Sequence, residues 1–187
     1  GSSASAFSLR LNGHHPISID TSATADFLDA LRTAQVADRT RSGMGRIVVH
    51  LHGASKNTSH RASISDYSAR LRGEGVRIIE HSDRTTAQGY LEEVLRGAKN
   101  RSVLLLQESG EMHDSETFAS TFGRWRLSQE ETHLVVGPAD GFGDAGANHK
   151  AISLGPLTLQ HELAAVVLLE QLYRATTILG GSPYHRG

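Results

Sequence analysis

The chain has 187 residues, of which 38% are hydrophobic and 21% are charged, a composition typical of a globular domain with a buried core. Its formal net charge of -1 excludes recruitment of nucleic acid by a global positive field. The absence of cysteine excludes disulfides, thiolate metal sites and a cysteine nucleophile. No apolar run is long enough to span a bilayer, so we expect no membrane partner.

The N-terminal part of the chain is predicted to be an extension in front of a separate domain. Its first residues, 1–6, are small and polar and are predicted to be either disordered or a remnant of processing, and a short strand is predicted over residues 7–11. Residues 22–36 predict a helix, because Ser22 is a good N-cap and the apolar residues fall near one face. Residues 37–45 have the composition of a linker. We therefore divide the chain into an extension, residues 1–45, and a domain, residues 46–187.

The domain alternates between strand and helix patterns. Strands are predicted over residues 47–52, 76–80, 102–106, 132–136 and 151–154. Helices are predicted over residues 63–72, 86–97, 115–125 and 160–179, with Ser115 and Thr158 as N-caps of the last two. Such alternation predicts an α/β fold with a mainly parallel sheet.

Three loops are candidates for a ligand site. In a parallel sheet, ligands bind where loops leave the carboxyl ends of the strands. The loops after Leu106, Val136 and Leu154 have this position, and the second of them is rich in glycine (residues 137–143). That loop lacks the spacing of a dinucleotide-binding fingerprint, so by itself it is equally compatible with a flexible turn.

Two further patterns concern the first strand and the last helix. Strand alternation places His50 and His52 on one face. Since no acidic residue is near them in sequence, we expect solvent-facing or RNA-facing side chains and no metal site. The last helix is apolar almost all round between Leu163 and Leu172 and must be buried on most sides. It is buried either inside the domain or in a dimer interface, and its place in the chain favours the interface.

Separated motifs in the second half of the domain resemble one family. Residues 153–161 (SLGPLTLQH), 170–175 (EQLYRA) and 183–186 (PYHR) match the signature S-L-S-x-L-T-x-x-H, E-Q-x-Y-R-A and Y-H-R/K at the same spacings. Upstream, residues 136–142 and 106–110 fall where the signature has I-G-G-x-x-G-L and L-D-x-x-G. From residue 46 onward, the chain therefore resembles the RlmH-type SPOUT methyltransferases.

The resemblance implies a fold, a cofactor and a substrate. These enzymes have a parallel sheet with a C-terminal trefoil knot, form homodimers, bind S-adenosylmethionine and methylate N3 of a pseudouridine in large-subunit ribosomal RNA. By position, the cofactor pocket of this chain would contain Leu106, Gly137, Leu154, Gly155, Pro156, Leu157, Thr158 and Leu159. Tyr184, His185 and Arg186 would be the catalytic residues that approach the RNA.

Those three residue types suit the reaction that the resemblance implies. N3 of a pseudouridine carries an imide proton, which must be lost before N3 attacks a sulfonium methyl group. His185 or Tyr184 would assist that loss as a general base. Arg186 would stabilise the developing imide anion or bind a phosphate.

The chain differs from the family pattern at four positions. Gln107 replaces an aspartate, Pro138 a glycine, Gly155 a serine and Ala165 an arginine that would contact RNA or a dimer partner. These differences leave a second hypothesis open, a non-catalytic assembly factor of the mitochondrial large ribosomal subunit. A third hypothesis, a small-molecule-binding domain with no RNA role, is supported only by the near-neutral charge.

The expected partners and location follow from the same resemblance. The expected partner is large-subunit ribosomal RNA or a pre-ribosomal particle, together with a second copy of the chain or a same-fold partner in a heterodimer. The extension over residues 1–45 favours an organellar protein, in the mitochondrial matrix. The alternatives are an organellar stroma and the bacterial cytoplasm.

Overall fold

The fold is known from a computed structural model that describes residues 47–99 and 102–181. The predicted strand over residues 7–11, the helix over residues 22–36, the linker and the tail residues 184–186 lie outside the described part. Within the described part, no helix is both long and apolar enough to cross a membrane.

The described residues form five strands and four α-helices. The strands are β1 (Ile47–His52), β2 (Val76–His81), β3 (Ser102–Met112), β4 (Thr132–Val135) and β5 (Ala151–Ser153). The helices are α1 (Thr58–Leu71), α2 (Ala87–Ala98), α3 (Ser115–Leu127) and α4 (His161–Leu179), and 3-10 turns lie at Arg72–Glu74 and Gly143–Gly146. The strands pair in parallel in the order β2-β1-β4-β3-β5. The predicted α/β fold with a parallel sheet is therefore confirmed.

Helix α1 begins at residue 58, five residues before the predicted start. The side chain of Asn57 accepts hydrogen bonds from the backbone N–H groups of Ser59 and His60. This cap satisfies two donors that no carbonyl of the helix can reach, and so it fixes the start of the helix. The prediction missed it because the first turn is polar and shows no apolar periodicity.

The predicted caps of the last two helices are wrong by one or two residues. Asp114, not Ser115, caps α3, since its carboxylate accepts from a first-turn backbone N–H at 2.7 Å. Gln160, not Thr158, caps α4, since its side-chain oxygen accepts from a first-turn N–H at 3.1 Å. In both places several polar residues precede the helix, and only the backbone path decides which of them reaches the N–H groups.

The core lies mainly on one face of the sheet. Ile47, Val49 and Leu51 of β1 point to this face, as the alternation predicts, and helices α1, α3 and α4 cover it. Leu168 and Leu172 of α4 are fully buried there. Helix α2 covers the opposite face with a smaller apolar layer. The predicted burial of the last helix is thus confirmed for the side that faces the sheet.

Strand β3 is longer than predicted and contacts β5 in two places. It was expected to end at Leu106 but continues to Met112. Ile152 of β5 pairs with Leu106 and also with Glu111, with a register shift between the two. Gly110 makes the second contact possible, because its Cα lies directly against the backbone of β5.

Candidate functional site

A cavity of about 450 Å³ lies at the carboxyl edge of the sheet. Three separate segments line it: residues 106–108 of β3, residues 136–143 after β4, and the loop that follows β5. His161 and Ala164 of α4 close one side. The three loops that the sequence singled out therefore surround a single cavity.

Most of the residues predicted to bind the cofactor line this cavity. They are Leu106, Gly137, Leu154, Gly155, Leu157, Thr158 and Leu159. Pro156 belongs to the same loop but is not among the lining residues. The catalytic candidates Tyr184, His185 and Arg186 lie outside the described residues. The structure thus groups the predicted pocket residues, and their role in binding stays a prediction.

The segment after β4 is a compact turn that depends on glycine. The N–H of Gly141 donates to the carbonyl of Pro138 at 2.9 Å. Gly141 has a φ of +70°, in the left-handed region that glycine adopts without strain. Gly137 packs against the ring of Phe142, and a β-carbon at position 137 would lie 3.1 Å from that ring. The turn therefore depends on glycine at positions 137 and 141, and residues 137–143 line the cavity.

The loop after β5 is held by one side chain. The Ser153 hydroxyl donates to the carbonyl of Gly155 at 2.8 Å and accepts from the N–H of Gly155 at 3.2 Å. Leu157, which is 73% exposed, lies at the rim. Apolar side chains and loop backbone together form a wall suited to a small organic ligand that has both apolar and polar parts.

Comparison with known proteins identifies the family to which this chain belongs. Residues 46–185 match the family model described as "Predicted SPOUT methyltransferase". The chain belongs to the SPOUT methyltransferase family. This confirms the resemblance drawn from the motifs, and the matched region includes the tail residues Tyr184 and His185.

Three bacterial relatives of this SPOUT methyltransferase carry the name "Ribosomal RNA large subunit methyltransferase H". The Synechococcus relative is 38% identical over 146 residues, which cover 75% of this chain and 95% of the relative. A Cereibacter sphaeroides relative is 36% identical over 146 residues, covering 72% and 94%. A Deinococcus radiodurans relative is 36% identical over 138 residues, again covering 72% and 94%.

The structure shows the surroundings of two of the four residues that differ from the family pattern. The side-chain amide of Gln107 packs directly against the backbone of Gly146. A β-carbon at position 146 would lie 2.0 Å from the Nε2 atom of Gln107. Ala165 is 3% exposed and lies in the core. Position 165 therefore offers no surface for RNA or a dimer partner, contrary to the expectation for the missing arginine.

The third departure, Gly155, leads to a prediction. Its φ is +147°, a backbone conformation that L side chains rarely adopt, and no atom lies within 4 Å of a β-carbon there. We expect Gly155→Ser, which restores the serine of the family pattern, to lower the free energy of unfolding by about 1–2 kcal/mol through backbone strain alone. Urea denaturation measures the change. Gly73→Ser is the control, because position 73 also has open space but no positive φ. Equal midpoints for the two variants would contradict the prediction.

Glu162 fixes the loop between β1 and α1, a role that the sequence did not reveal. Its carboxylate accepts from the Ser55 hydroxyl at 2.5 Å and from the backbone N–H groups of Lys56 and Asn57 at 2.9 and 3.1 Å. These hydrogen bonds, chiefly the one from Ser55, lower the pKa of Glu162 to about 2. The three donors lie more than a hundred positions earlier in the chain, so no local motif indicates the contact.

A second cavity, of about 370 Å³, adjoins the first. The two share residues 138–141 and His161. Lys56 and Asp83 line the second cavity, and their charged groups lie 3.3 Å apart at the surface. Such an exposed pair contributes little stability, and both groups are accessible from solvent.

The two histidines of β1 do not face solvent as predicted. His50 is 4% exposed, and its two ring nitrogens lie 2.8 Å from Nε2 of His81 and 2.9 Å from Nδ1 of His133. His52 is partly buried and donates to the carbonyl of Thr85 at 3.0 Å. The prediction was wrong because alternation identifies a face of the sheet but not the helix, here α2, that covers it.

Proposed function

We propose that this chain is an S-adenosylmethionine-dependent methyltransferase of large-subunit ribosomal RNA that acts on N3 of a pseudouridine during ribosome biogenesis. The observation that carries the proposal is the convergence of three loops on one cavity in a SPOUT methyltransferase. The names of the bacterial relatives support the ribosomal RNA substrate. None of the comparisons supports the non-catalytic alternative.

The cavity suits the cofactor in size and in chemistry. Its volume of about 450 Å³ falls in the range of about 300–1,000 Å³ that small-molecule sites occupy. Leu106, Leu154 and Leu159 would contact the apolar parts of S-adenosylmethionine, and the glycine turn at residues 137–141 would offer backbone donors and acceptors. When bound, the cofactor supplies an activated methyl group.

The acceptor side of the reaction would use the tail and the second cavity. His185 or Tyr184 would take the imide proton of the base, and Arg186 would stabilise the resulting anion or hold a phosphate. The second cavity shares a wall with the cofactor cavity, so a base seated there would lie next to the methyl donor. Holding both partners in place would supply much of the remaining acceleration.

Calorimetry with S-adenosylmethionine tests the cofactor assignment. We expect saturable binding to the wild-type protein and its loss in Leu154→Arg, which fills the cavity with a long charged side chain. Leu127→Arg is the matched control, because Leu127 is 42% exposed and does not line the cavity. A folded wild-type protein that gives no binding heat at millimolar ligand would refute the enzymatic function.

Mass spectrometry of ribosomal RNA after depletion of the protein tests the substrate. We expect the loss of one N3-methylpseudouridine from the large subunit, and purified large-subunit particles from depleted cells should regain it when enzyme and cofactor are added. Particles are preferred to naked RNA, because a chain of net charge -1 has little general affinity for RNA. Unchanged methylation with failed subunit assembly would instead favour an assembly factor.

We further propose a homodimer and a C-terminal trefoil knot. Leu163 is 37% exposed and the neighbouring Val166 and Val167 are half-buried, so α4 has apolar surface left for a partner. The support for the knot is that the chain belongs to the SPOUT methyltransferase family. A monomer mass in light scattering at micromolar concentration would contradict the dimer. An experimental structure with an unthreaded chain end would contradict the knot.

The proposed location is the mitochondrial matrix, with a stroma or the bacterial cytoplasm as alternatives. The support is that the family match begins at residue 46 and leaves residues 1–45 outside it. Fractionation of cells that produce the natural protein tests this, since its exclusion from mitochondria would contradict the proposal.

A further inference from the structure

Three histidine rings lie in a row across three strands on the face of the sheet covered by α2. His50 of β1 is in the middle, with Nδ1 at 2.8 Å from Nε2 of His81 on β2. Its Nε2 atom lies 2.9 Å from Nδ1 of His133 on β4. We call these residues the histidine chain. Its rings bond to one another rather than to a common centre, and no group of residues in the described part is arranged to hold a metal ion.

A carboxylate lies at each end of the histidine chain. Nδ1 of His81 is 2.9 Å from the Glu93 carboxylate, and Nε2 of His133 is 3.8 Å from the Glu131 carboxylate. Strand β3 adds only the apolar Val103 and Leu105 to this layer. Within the described part of the protein, the titratable and charged groups around the histidine chain are His52 on β1, Arg77 on β2, Tyr90 and Glu93 on α2, and Glu131 before β4.

Hydrogen-bond counting limits the histidine chain to one extra proton. Burial, helped by His133, His81 and Arg77, lowers the pKa of His50 to about 3, so its ring is neutral near neutral pH. A neutral imidazole donates through one nitrogen and accepts through the other. His50 must therefore accept from one neighbour and donate to the other. One of the two outer rings, His81 or His133, can therefore be an imidazolium beside its carboxylate. If both were imidazolium, both would have to donate to His50, and one of the contacts between rings would be lost.

Tyr90 connects the histidine chain to the cofactor cavity. Its ring is fully buried, with its centroid 5.1 Å from that of His81 and 6.3 Å from that of Phe142, to which it is nearly parallel. Its hydroxyl donates to the carbonyl of Val136 at 3.2 Å. Val136 and Phe142 both line the cavity. Tyr90 thus contacts the glycine-rich segment at both ends, at Val136 through its hydroxyl and at Phe142 through its ring.

We propose that Tyr90 is a positioning residue for residues 136–142 and that a second proton on the histidine chain weakens this positioning. The proposal rests on the proposed function, in that this cavity binds S-adenosylmethionine. The intact histidine chain has no place for a second proton, because the neutral His50 ring cannot accept hydrogen bonds from both outer rings. Acidification therefore favours conformations in which both outer rings are protonated and in which His81 and Tyr90 are displaced. Cofactor affinity therefore falls with acidification.

The first test measures the dissociation constant of S-adenosylmethionine by calorimetry at pH 7.5 and pH 5.5. For the wild type we expect it to rise about tenfold on acidification. Tyr90→Phe keeps the ring but loses the hydroxyl, so it should bind about fivefold more weakly at pH 7.5 and show a flatter pH profile. His81→Gln, which cannot titrate, should also flatten the profile. His113→Gln, outside the histidine chain, should keep the wild-type profile. Identical profiles in all four proteins would overturn the proposal.

The second test needs no cofactor. In NMR spectra of the free protein, the backbone amides of Gly137 and Gly141 should shift with pH together with the ring of His81. In Tyr90→Phe, which should remain folded, these two amides should no longer follow the ring. If the wild-type amides follow it but no cofactor binds, the proposed function fails and the positioning by Tyr90 stands. If the wild-type amides do not shift together with the His81 ring, the positioning role of Tyr90 is wrong, whatever the measured cofactor affinity.

Discussion

The Gly110→Ala substitution is expected to lower the free energy of unfolding by about 2–4 kcal/mol and to abolish S-adenosylmethionine binding. A β-carbon at position 110 would lie 2.5 Å from the carbonyl carbon of Ile152 and 2.7 Å from that of Ala151. Both atoms are backbone, so no side-chain rotation relieves the overlap. The two strands must separate, and the cavity segments beside them, residues 106–108 and 153–155, move with them.

A second glycine in the same protein provides the matched control. Gly97 is an exposed residue of α2, and no atom lies within 4 Å of a β-carbon there. Gly97→Ala should raise the free energy of unfolding by about 0.5–1 kcal/mol, because alanine favours the helix. Urea denaturation and calorimetry compare the two variants with the wild type. If Gly110→Ala keeps the wild-type midpoint and cofactor affinity, the contact between β3 and β5 does not shape the cavity.

Local patterns in the sequence were sufficient to predict the order of strands and helices. The alternation in β1 and the apolar run at the start of β3 are periodic signals that a single segment carries. The continuation of β3 to Met112 was missed, because residues 107–111 are polar or glycine and do not have a strand pattern. That part of the strand is formed by the long-range pairing of Glu111 with Ile152.

The candidate site was predictable where it depends on topology and not where it depends on packing. The carboxyl ends of parallel strands meet at one edge, so the loops after Leu106, Val136 and Leu154 had to be neighbours. The histidine chain and the anchoring by Glu162 join residues that are 31 to 107 positions apart. No periodicity within one element encodes such a contact, and therefore His50 was wrongly expected at the surface.

Glu162→Gln is expected to lower the free energy of unfolding by about 2–4 kcal/mol at pH 7. The Glu162 side chain is only 10% exposed, and its carboxylate accepts from Ser55 and from the N–H groups of Lys56 and Asn57. A glutamine keeps one acceptor oxygen but turns an NH₂ group toward N–H or O–H donors. At least one donor then loses its acceptor, and charge-assisted hydrogen bonds are replaced by weaker neutral ones. Glu80→Gln is the control, since it makes the same charge change at an exposed position of β2.

The pH dependence distinguishes a charge effect from a simple packing defect. The folded pKa of Glu162, about 2, lies below the ordinary value of 4.5. Because the folded pKa is the lower one, the contribution of the carboxylate is complete above pH 4.5 and is lost as pH falls through 2. The stability difference between wild type and Glu162→Gln should therefore shrink as pH falls below 4.5. His50 also destabilises the protein in acid, but it does so in both proteins, so its effect cancels in the difference. A difference that stays constant down to pH 3 would mean that shape, rather than charge, makes Glu162 the anchor of this loop.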